Sequence, residues 1–328
     1  MPTQPTSPMT IAQFGKAVDP AVRKHFVDRY SQLEPAMPKI FIEENQEDYN
    51  EQHQQYTGLA SLQPIAQGAA YPTNSPMQAW ATTYTPVKYG DSIQITDELQ
   101  RYDKSSIAKA TTASELQAKE VARSIDERGA KVLLNGFNTS YTSLTDNKPL
   151  FSTNHSRSDG GTAQSNASST SIVLSEANLE TAMLAGEQVL DERGKIVNVY
   201  MDKLIVPPYL RKLALIITKT EQRSGTMDND LNVYNVAEFE GLYIDNLLVW
   251  KYMASVAGGL DTQWVLQDAD VHQLRWLWGV KPEIAKYNEN VGFMNDTLVW
   301  KVRYEASTGW DDWRGLWSSQ GTQLANSN

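Results

Sequence analysis

The sequence predicts an α+β protein. It has one long helix, preceded by an extended arm and a two-stranded hairpin and followed by a mixed domain and a β-rich tail. Three observations carry that expectation. Residues 96–135 run without a proline through helix-forming side chains and close on Asn135-Gly136-Phe137. Before them, residues 57–95 are punctuated by Gly58, Pro64, Gly68, Pro72, Pro76, Pro86 and Gly90, with β-prone residues between. Beyond residue 270, apolar and polar residues alternate over two long stretches, the period of a half-buried strand. One rod flanked by extended limbs suits a subunit that grips its neighbours better than a pocket that shelters a reaction.

Residues 1–56 read as an arm, broken by six prolines: Pro2, Pro5, Pro8, Pro20, Pro35 and Pro38. Val22, Phe26 and Tyr30 lie four apart and predict a short helix over 21–32. Glu43, Glu47 and Glu51 are also four apart, with Glu44 and Asp48 beside them. On a helix they form one acidic face without a basic partner. That face is either solvated or a patch that meets a basic neighbour, because an arm this polar is stabilised mainly by what it packs on.

Within 57–95, the runs 77–87 and 92–96 are strand-like, and Trp80-Ala81-Thr82-Thr83-Tyr84-Thr85 is β-prone. A long hairpin with its turn near 68–75 is expected. The alternative is an ordinary surface loop, although a connection this long and this weakly hydrophobic is more often functional.

Thr96 or Asp97 is placed to cap the long helix, whose acidic first turn complements the helix dipole. Ile107, Ala110, Ser114, Ala118, Val121, Ile125, Gly129 and Val132 step by three and four. That is a narrow stripe of mostly small residues, suited to close packing. Residues 96–131 hold seven basic and seven acidic side chains, Arg123 and Arg128 among them, so this helix is neutral within an acidic chain. From Ser105 to Asn135 it would span roughly 45 Å. Asn135-Gly136 is expected to stop it in a left-handed turn.

Residues 138–171 are rich in Ser, Thr, Asn and Gly and read as a loop. A helix is expected from an N-cap at Ser175 to Leu190, then short buried strands over 196–201 and 204–206. Pro207-Pro208 begins another helix through about Ile217. A polar loop over 218–235 and a strand over 242–250 follow. In the tail, Leu274, Trp276 and Trp278 alternate with Gln273, Arg275 and Leu277. Leu298, Trp300, Val302 and Tyr304 alternate with Val299, Lys301, Arg303 and Glu305. Seven of nine tryptophans lie beyond residue 260, a density that makes either a core or a contact surface. Trp310-Asp311-Asp312-Trp313-Arg314-Gly315, at a strand end, is the better candidate for a subunit contact.

The chain has 328 residues, of which 41% are hydrophobic, and a net charge of −10. The length suggests about two domains. The charge argues against tight binding to a phosphate backbone, yet an acidic wall could enclose nucleic acid and leave it mobile. With no cysteine there is no disulfide, thiolate metal site or cysteine nucleophile. No signal sequence or membrane span is evident, so assembly in a cytoplasm is expected.

Catalytic and cofactor motifs are absent. His25, His53, His155 and His272 are scattered, without metal-ligand spacing. His155, with Asp146 and Asp159 nearby, reads as a surface histidine rather than a general base. Asp228-Asn229-Asp230 lacks the glycine and the glutamate of a calcium loop. No nucleophile elbow, phosphate loop or dinucleotide fingerprint is present, and no catalytic, cofactor or metal residue is assigned.

Several local sequences, in their order, carry a resemblance. They are Tyr89-Gly90 with Ile95-Thr96-Asp97-Glu98, Leu133-Leu134-Asn135-Gly136-Phe137, and Lys148-Pro149-Leu150-Phe151-Ser152-Thr153-Asn154-His155. Leu204-Ile205-Val206-Pro207-Pro208-Tyr209-Leu210 and Asp312-Trp313-Arg314-Gly315 follow. From about residue 57 onward the chain resembles tailed-bacteriophage major capsid proteins of the Hong Kong 97-type fold, and in local wording the Mu-like prophage major head subunit family.

The resemblance implies an N-terminal arm (1–56), an extended hairpin or E-loop (57–95) and a peripheral domain (96–172) with a spine helix over about 98–135. It implies an axial domain (173–268) around five-fold and six-fold axes and a return to the peripheral domain (269–328). Copies of the chain would form hexamers and pentamers of an icosahedral head enclosing double-stranded DNA without sequence-specific binding. Scaffolding, portal and decoration proteins would be its partners, with scaffolding separate or already removed. No membrane and no enzyme activity are implied.

Subunit contacts are expected at Glu43, Glu47, Glu51, Trp80, Tyr84, Arg123, Arg128, Trp310, Asp312, Trp313 and Arg314. Hinges are expected at Gly58 and Gly90, whose stiffening should slow expansion of a precursor shell. Lys88 and Asn295 lie in the regions that some family members crosslink, but no motif matches there. Two rivals are an encapsulin-type shell around protein cargo, distinguished by whether terminase and portal genes lie next door, and a surface-displayed adhesive β protein. A hydrolase using His155 with Asp146 or Asp159 is a third reading, which requires an activity that His155→Ala abolishes.

Overall fold

The computed structural model describes residues 11–102, 106–222, 231–236, 243–286 and 297–321. Asn295, Asp228-Asn229-Asp230 and the prolines at 2, 5 and 8 lie outside the described residues. In chain order the elements are α1 (Ile11–Ser31), β1 (Ile42–Asn45), β2 (Glu51–Tyr56), β3 (Gln78–Tyr84), β4 (Val87–Thr96), α2 (Asp97–Tyr102) and α3 (Ser106–Leu134). Then come α4 (Glu176–Glu187), β5 (Lys203–Val206), α5 (Arg211–Lys219), β6 (Asn246–Val249), β7 (Trp264–Gln267), β8 (Leu274–Lys286), β9 (Thr297–Trp310) and β10 (Leu316–Ser319). No helix among the described residues is long and apolar enough to cross a membrane.

The chain divides into two compact units. Unit 1 holds residues 1–35, 86–126 and 278–307, and unit 2 holds 36–85, 127–277 and 308–328. The elements α3, β8 and β9 contribute residues to both.

In unit 1 the stripe of small residues on α3 is buried as its spacing demands: Ala110, Ser114, Ala118, Val121 and Ile125 are all in the interior. The Thr96 hydroxyl accepts from the Leu99 N–H at 3.4 Å, near the α2 start that the sequence marks for capping. The α1 helix is longer than its spacing predicts, starts at Ile11 and carries Pro20 inside it. Val22 and Phe26 are its buried face, and His25 meets Glu115 of α3 at 2.9 Å. β4 pairs antiparallel with β9 from Val87–Ala306 to Thr96–Thr297. Tyr304 packs beside Tyr89 and Trp278 and meets the Ser124 hydroxyl at 2.6 Å.

In unit 2 a sheet in the order β10-β7-β5-β6 forms the floor of the core, with β5 parallel to β6 and antiparallel to β7. Leu179, Met183, Leu204, Val206, Leu266 and Trp264 meet in that core, and Trp264 packs on Trp317 at 4.9 Å. Each large side chain so buried contributes about 1.5–3 kcal/mol. Ser175 caps α4 as expected by accepting from the Asn178 N–H at 3.3 Å. The sheet containing the long strands has the order β1-β8-β9-β4.

Four local expectations are corrected. Residues 42–45 and 51–56 are strands joined by a turn over 46–50, not helix, so Glu43, Glu47 and Glu51 do not share a helical face. Of that acidic run, Glu44 pairs with Arg275 and Glu51 meets His53, pairings that join residues more than 200 positions apart or on a strand. The two strands that flank 68–75 do pair, but the first is β2 at 51–56, before the 57–95 segment, while β4 pairs with β9. Residues 196–201 form no strand, only an isolated bridge at Ile196. Finally, α3 ends in a tight turn over Asn135–Phe137, with no left-handed residue there. Gly136 is required for a different reason, because a Cβ there would strike the Phe151 ring.

Candidate functional site

The strands β2 and β3 form an antiparallel stem, from Glu51 opposite Tyr84 to Tyr56 opposite Gln78. Residues 57–77 join them. The mouth of this loop is closed by the Thr57 N–H on the Met77 carbonyl (2.8 Å) and the Met77 N–H on the Thr57 hydroxyl (3.0 Å). Two basic side chains from the turn after α4 hold its ends: Arg193 donates to the Ser75 carbonyl (2.9 Å) and Lys195 to the Leu59 carbonyl (2.5 Å). Between these ties, every residue from Ser61 to Gln78 is exposed. Leu62 is 95% and Tyr71 85% exposed, and Leu59, Ile65 and Met77 are also uncovered. Prolines 64, 72 and 76 keep the segment from pairing as a strand.

The stem is fixed to the rest of unit 2 through Asp311. Its carboxylate accepts from Arg275 Nε (2.9 Å) and from the Tyr84 hydroxyl (2.7 Å), and faces His53 Nδ1 at 2.8 Å. His53 Nε2 faces Glu51 at 3.0 Å, Arg275 also pairs with Glu44, and the Gln55 amide donates to the Asp311 carbonyl. Burial and the Asp311 charge push the Tyr84 phenol well above its usual range, so it stays a donor. The hydrogen bond from His53 holds the Glu51 carboxyl below the usual range.

A second charged group lies across a cleft of about 350 Å³ lined by His53, Gly58, Asp191, Glu192, Arg275 and Arg314. Arg314 pairs with Glu192 (2.8 Å) and Asp312 (3.0 Å), donates to the Leu190 carbonyl (2.8 Å) and lies over the Trp313 ring. Burial would lower its pKa, but the two carboxylates outweigh that and hold it charged. Trp313 stacks on His155 with centroids 4.4 Å apart, and His155 reaches Asn166 at 3.1 Å and Asp146 at 3.4 Å.

These placements revise the expected contact residues. Tyr84, Trp310, Trp313 and Arg314 are buried among residues of this chain and have internal partners, so they form no face for a neighbour. Their aromatic area and charge are already satisfied within unit 2. Asp312 is partly exposed and tied to Arg314. His155 is buried rather than a surface residue. Gly90 sits in mid-ladder opposite Arg303, where a Cβ would come within 2.9 Å of the Val302 carbonyl, so it serves close packing and not hinging. Gly58 is exposed at the root of the loop beside Asp191. Glu43 and Glu47 are exposed, Glu51, Trp80 and Arg128 are half-buried, and Arg123 is exposed and paired with Glu120 at 3.7 Å.

Sequence reading gave His53, Arg275, Asp311 and Glu192 no joint role, because the contacts that bring them together span 36 to 258 residues. Among the described residues no group of His, Asp and Glu is placed to hold a metal ion.

His272 supplies a pH test of this unit. Its Nδ1 accepts from the Leu274 N–H at 3.4 Å. Burial, reinforced by Lys203 and Arg275, lowers its pKa from 6.5 to about 4. A histidine depressed in the folded state stabilises it above the unfolded pKa and loses that stability as pH falls from 6.5 towards 4. The expected loss is about 3 kcal/mol. Urea titrations at pH 7 and pH 4 of the parent and of His272→Gln should show a smaller drop in the variant; equal drops would remove His272 from the account.

A sequence model of a family described as phage capsid protein matches residues 80–319. No curated protein matches the chain. The mature capsid asymmetric unit of bacteriophage PhiM1 is 14% identical, with a TM-score of 0.54 and 89% of each chain covered. The capsid of a native GTA particle is 12% identical, with a TM-score of 0.52 over 87% of this chain and 90% of that one. The procapsid of bacteriophage JBD30 is 13% identical, with a TM-score of 0.51 over 97% of this chain and 78% of that one. At these identities the structural likeness concerns the fold.

Proposed function

The chain belongs to the phage capsid protein family and has the Hong Kong 97-type fold, and from this premise we infer how it acts as a major capsid subunit. Its role is structural: copies associate into the shell of a virion. The family match carries this conclusion.

The finer reading is ours. The uncovered loop 57–77 lies over an adjacent copy, and the root at Gly58 is the point about which it swings when a precursor shell expands. Its five large apolar side chains are the surface that the neighbour covers. Each contributes about 1.5–3 kcal/mol on full burial. Association costs several kcal/mol per subunit, so a shell held by many such modest contacts closes without any one deep interface. The sheet of β5, β6, β7 and β10 with α4 and α5 forms the axial domain at five-fold and six-fold axes, in hexamers and pentamers. The spine helix α3 and the long strands form the peripheral domain. Glu43, Glu47, Trp80, Arg123 and Arg128 remain the proposed contact residues.

In this reading the subfamily is the Mu-like head subunit. Scaffolding, portal and decoration proteins are the partners, and assembly takes place in the host bacterial cytoplasm. The shell encloses double-stranded DNA without reading its sequence, consistent with a net charge of −10 that repels packed phosphate. The role requires no catalysis or cofactor.

Electron microscopy of the purified full chain tests the reading. Raising ionic strength screens repulsion between acidic subunits, so closed shells are expected to appear as salt is raised. A chain that stays a monodisperse monomer at high concentration under all salt conditions would end the proposal.

A further inference from the structure

Both ring nitrogens of His53 face carboxylate oxygens: Nδ1 lies 2.8 Å from Asp311 and Nε2 lies 3.0 Å from Glu51. A neutral imidazole has one N–H, so one nitrogen would direct a lone pair at a carboxylate. Only the imidazolium donates to both. The two carboxylates stand on different parts of unit 2. Glu51 is on the stem strand β2, whereas Asp311 follows β9 and is held by Arg275 of β8.

We propose that His53 is a proton-gated latch between the stem of the long loop and the body of unit 2. Protonated, it ties Glu51 to Asp311. Deprotonated, its single N–H is divided between Glu51, two residues away on the same strand, and Asp311, so the tie from the stem to the body weakens where the loop begins.

The surrounding charges favour this role. On its own strand His53 faces Glu51; from β3 the Tyr84 ring meets its edge at 5.0 Å. From the segment after β9 it faces Asp311. Arg275 of β8 opposes the imidazolium charge but is itself shared between Asp311 and Glu44 of β1. Asp191, Glu192, Asp312 and Arg314 line the same cleft. Burial alone would lower the histidine pKa, yet the hydrogen bonds to Glu51 and Asp311 outweigh it and raise it above 6.5. A histidine raised in the folded state stabilises below the unfolded pKa, and that stability is lost as pH rises through the folded value. The latch is therefore shut in mild acid and opens on the alkaline side. The Tyr84 phenol, raised well above 10, does not titrate in that range.

The latch goes beyond the shell reading and belongs to the single subunit, so it can stand or fall separately from assembly. Amide hydrogen exchange of the full chain tests it, with protection of β2 and β3 corrected for the intrinsic pH dependence of exchange. Between pH 6 and pH 9, stem protection is expected to fall about tenfold for each pH unit by which the folded pKa exceeds the unfolded one. In His53→Gln it should be flat. Parent protection that does not change with pH, or an equal fall in His53→Gln, overturns the proposal. Should the variant not fold, NMR titration of the parent imidazole decides: a midpoint above 6.5 supports the latch and one at or below 6.5 refutes it.

Discussion

Arg314→Met is expected to destabilise unit 2 by about 3–5 kcal/mol, the cost of stranding a buried charge. The Glu192 side chain is only 6% exposed and depends on Arg314 at 2.8 Å for its counter-charge. Without the guanidinium it keeps only the Ser158 N–H as a described donor. The Leu190 carbonyl loses a donor and Trp313 loses the cation over its ring. Methionine fills much of the volume, so the loss is electrostatic rather than a cavity. The double variant Arg314→Met/Glu192→Gln should recover at least half of the lost stability, because it removes the orphaned carboxylate. Urea denaturation of the three proteins gives the answer. A single variant within about 0.5 kcal/mol of the parent, the usual range of a surface change, would show that this pair does not hold unit 2 together.

Replacing residues 60–74 by a four-residue Gly/Ser linker should leave the subunit folded and abolish closed shells. The excised residues bury almost nothing, and both anchor points, Leu59 and Ser75, are kept. Halving the loop lowers its closure entropy by about 0.6 kcal/mol, so the subunit should melt no lower than the parent. What disappears is the apolar surface of Leu62, Ile65 and Tyr71 that the proposed neighbour covers. Circular dichroism melting checks the first half and electron microscopy the second. Normal shells from the shortened chain would show that the loop is not a clasp.

The elements legible in the sequence share one property: the information is local. The buried stripe of α3 follows from the spacing of Ala110, Ser114, Ala118, Val121 and Ile125, and α3 ends within one residue of the stop read at Asn135. The Ser175 cap, the Pro207-Pro208 helix start and the alternation in β9 are likewise written in a few neighbouring residues. Function was legible through the order of local sequences rather than through any one site, since a shell subunit carries no catalytic constellation to recognise.

Failures occurred wherever a partner had to be chosen across the chain. Four-residue spacing in Glu43, Glu47 and Glu51 resembles a helix face, but pairing of β2 with β3 stabilises the extended form, and a distant Arg275 neutralises the adjacent Glu44. Aromatic and charged residues at 310–314 resemble a contact surface until Glu192 and His155 are found packed against them. Composition and periodicity by themselves determined the long helix, the Ser175 cap and the alternating strands of the tail, because backbone geometry and turn chemistry act over a few residues. Tertiary structure alone decided which strand the stem pairs with, which charges are buried and where His53 sits, because those energies depend on groups that meet only when the chain has folded.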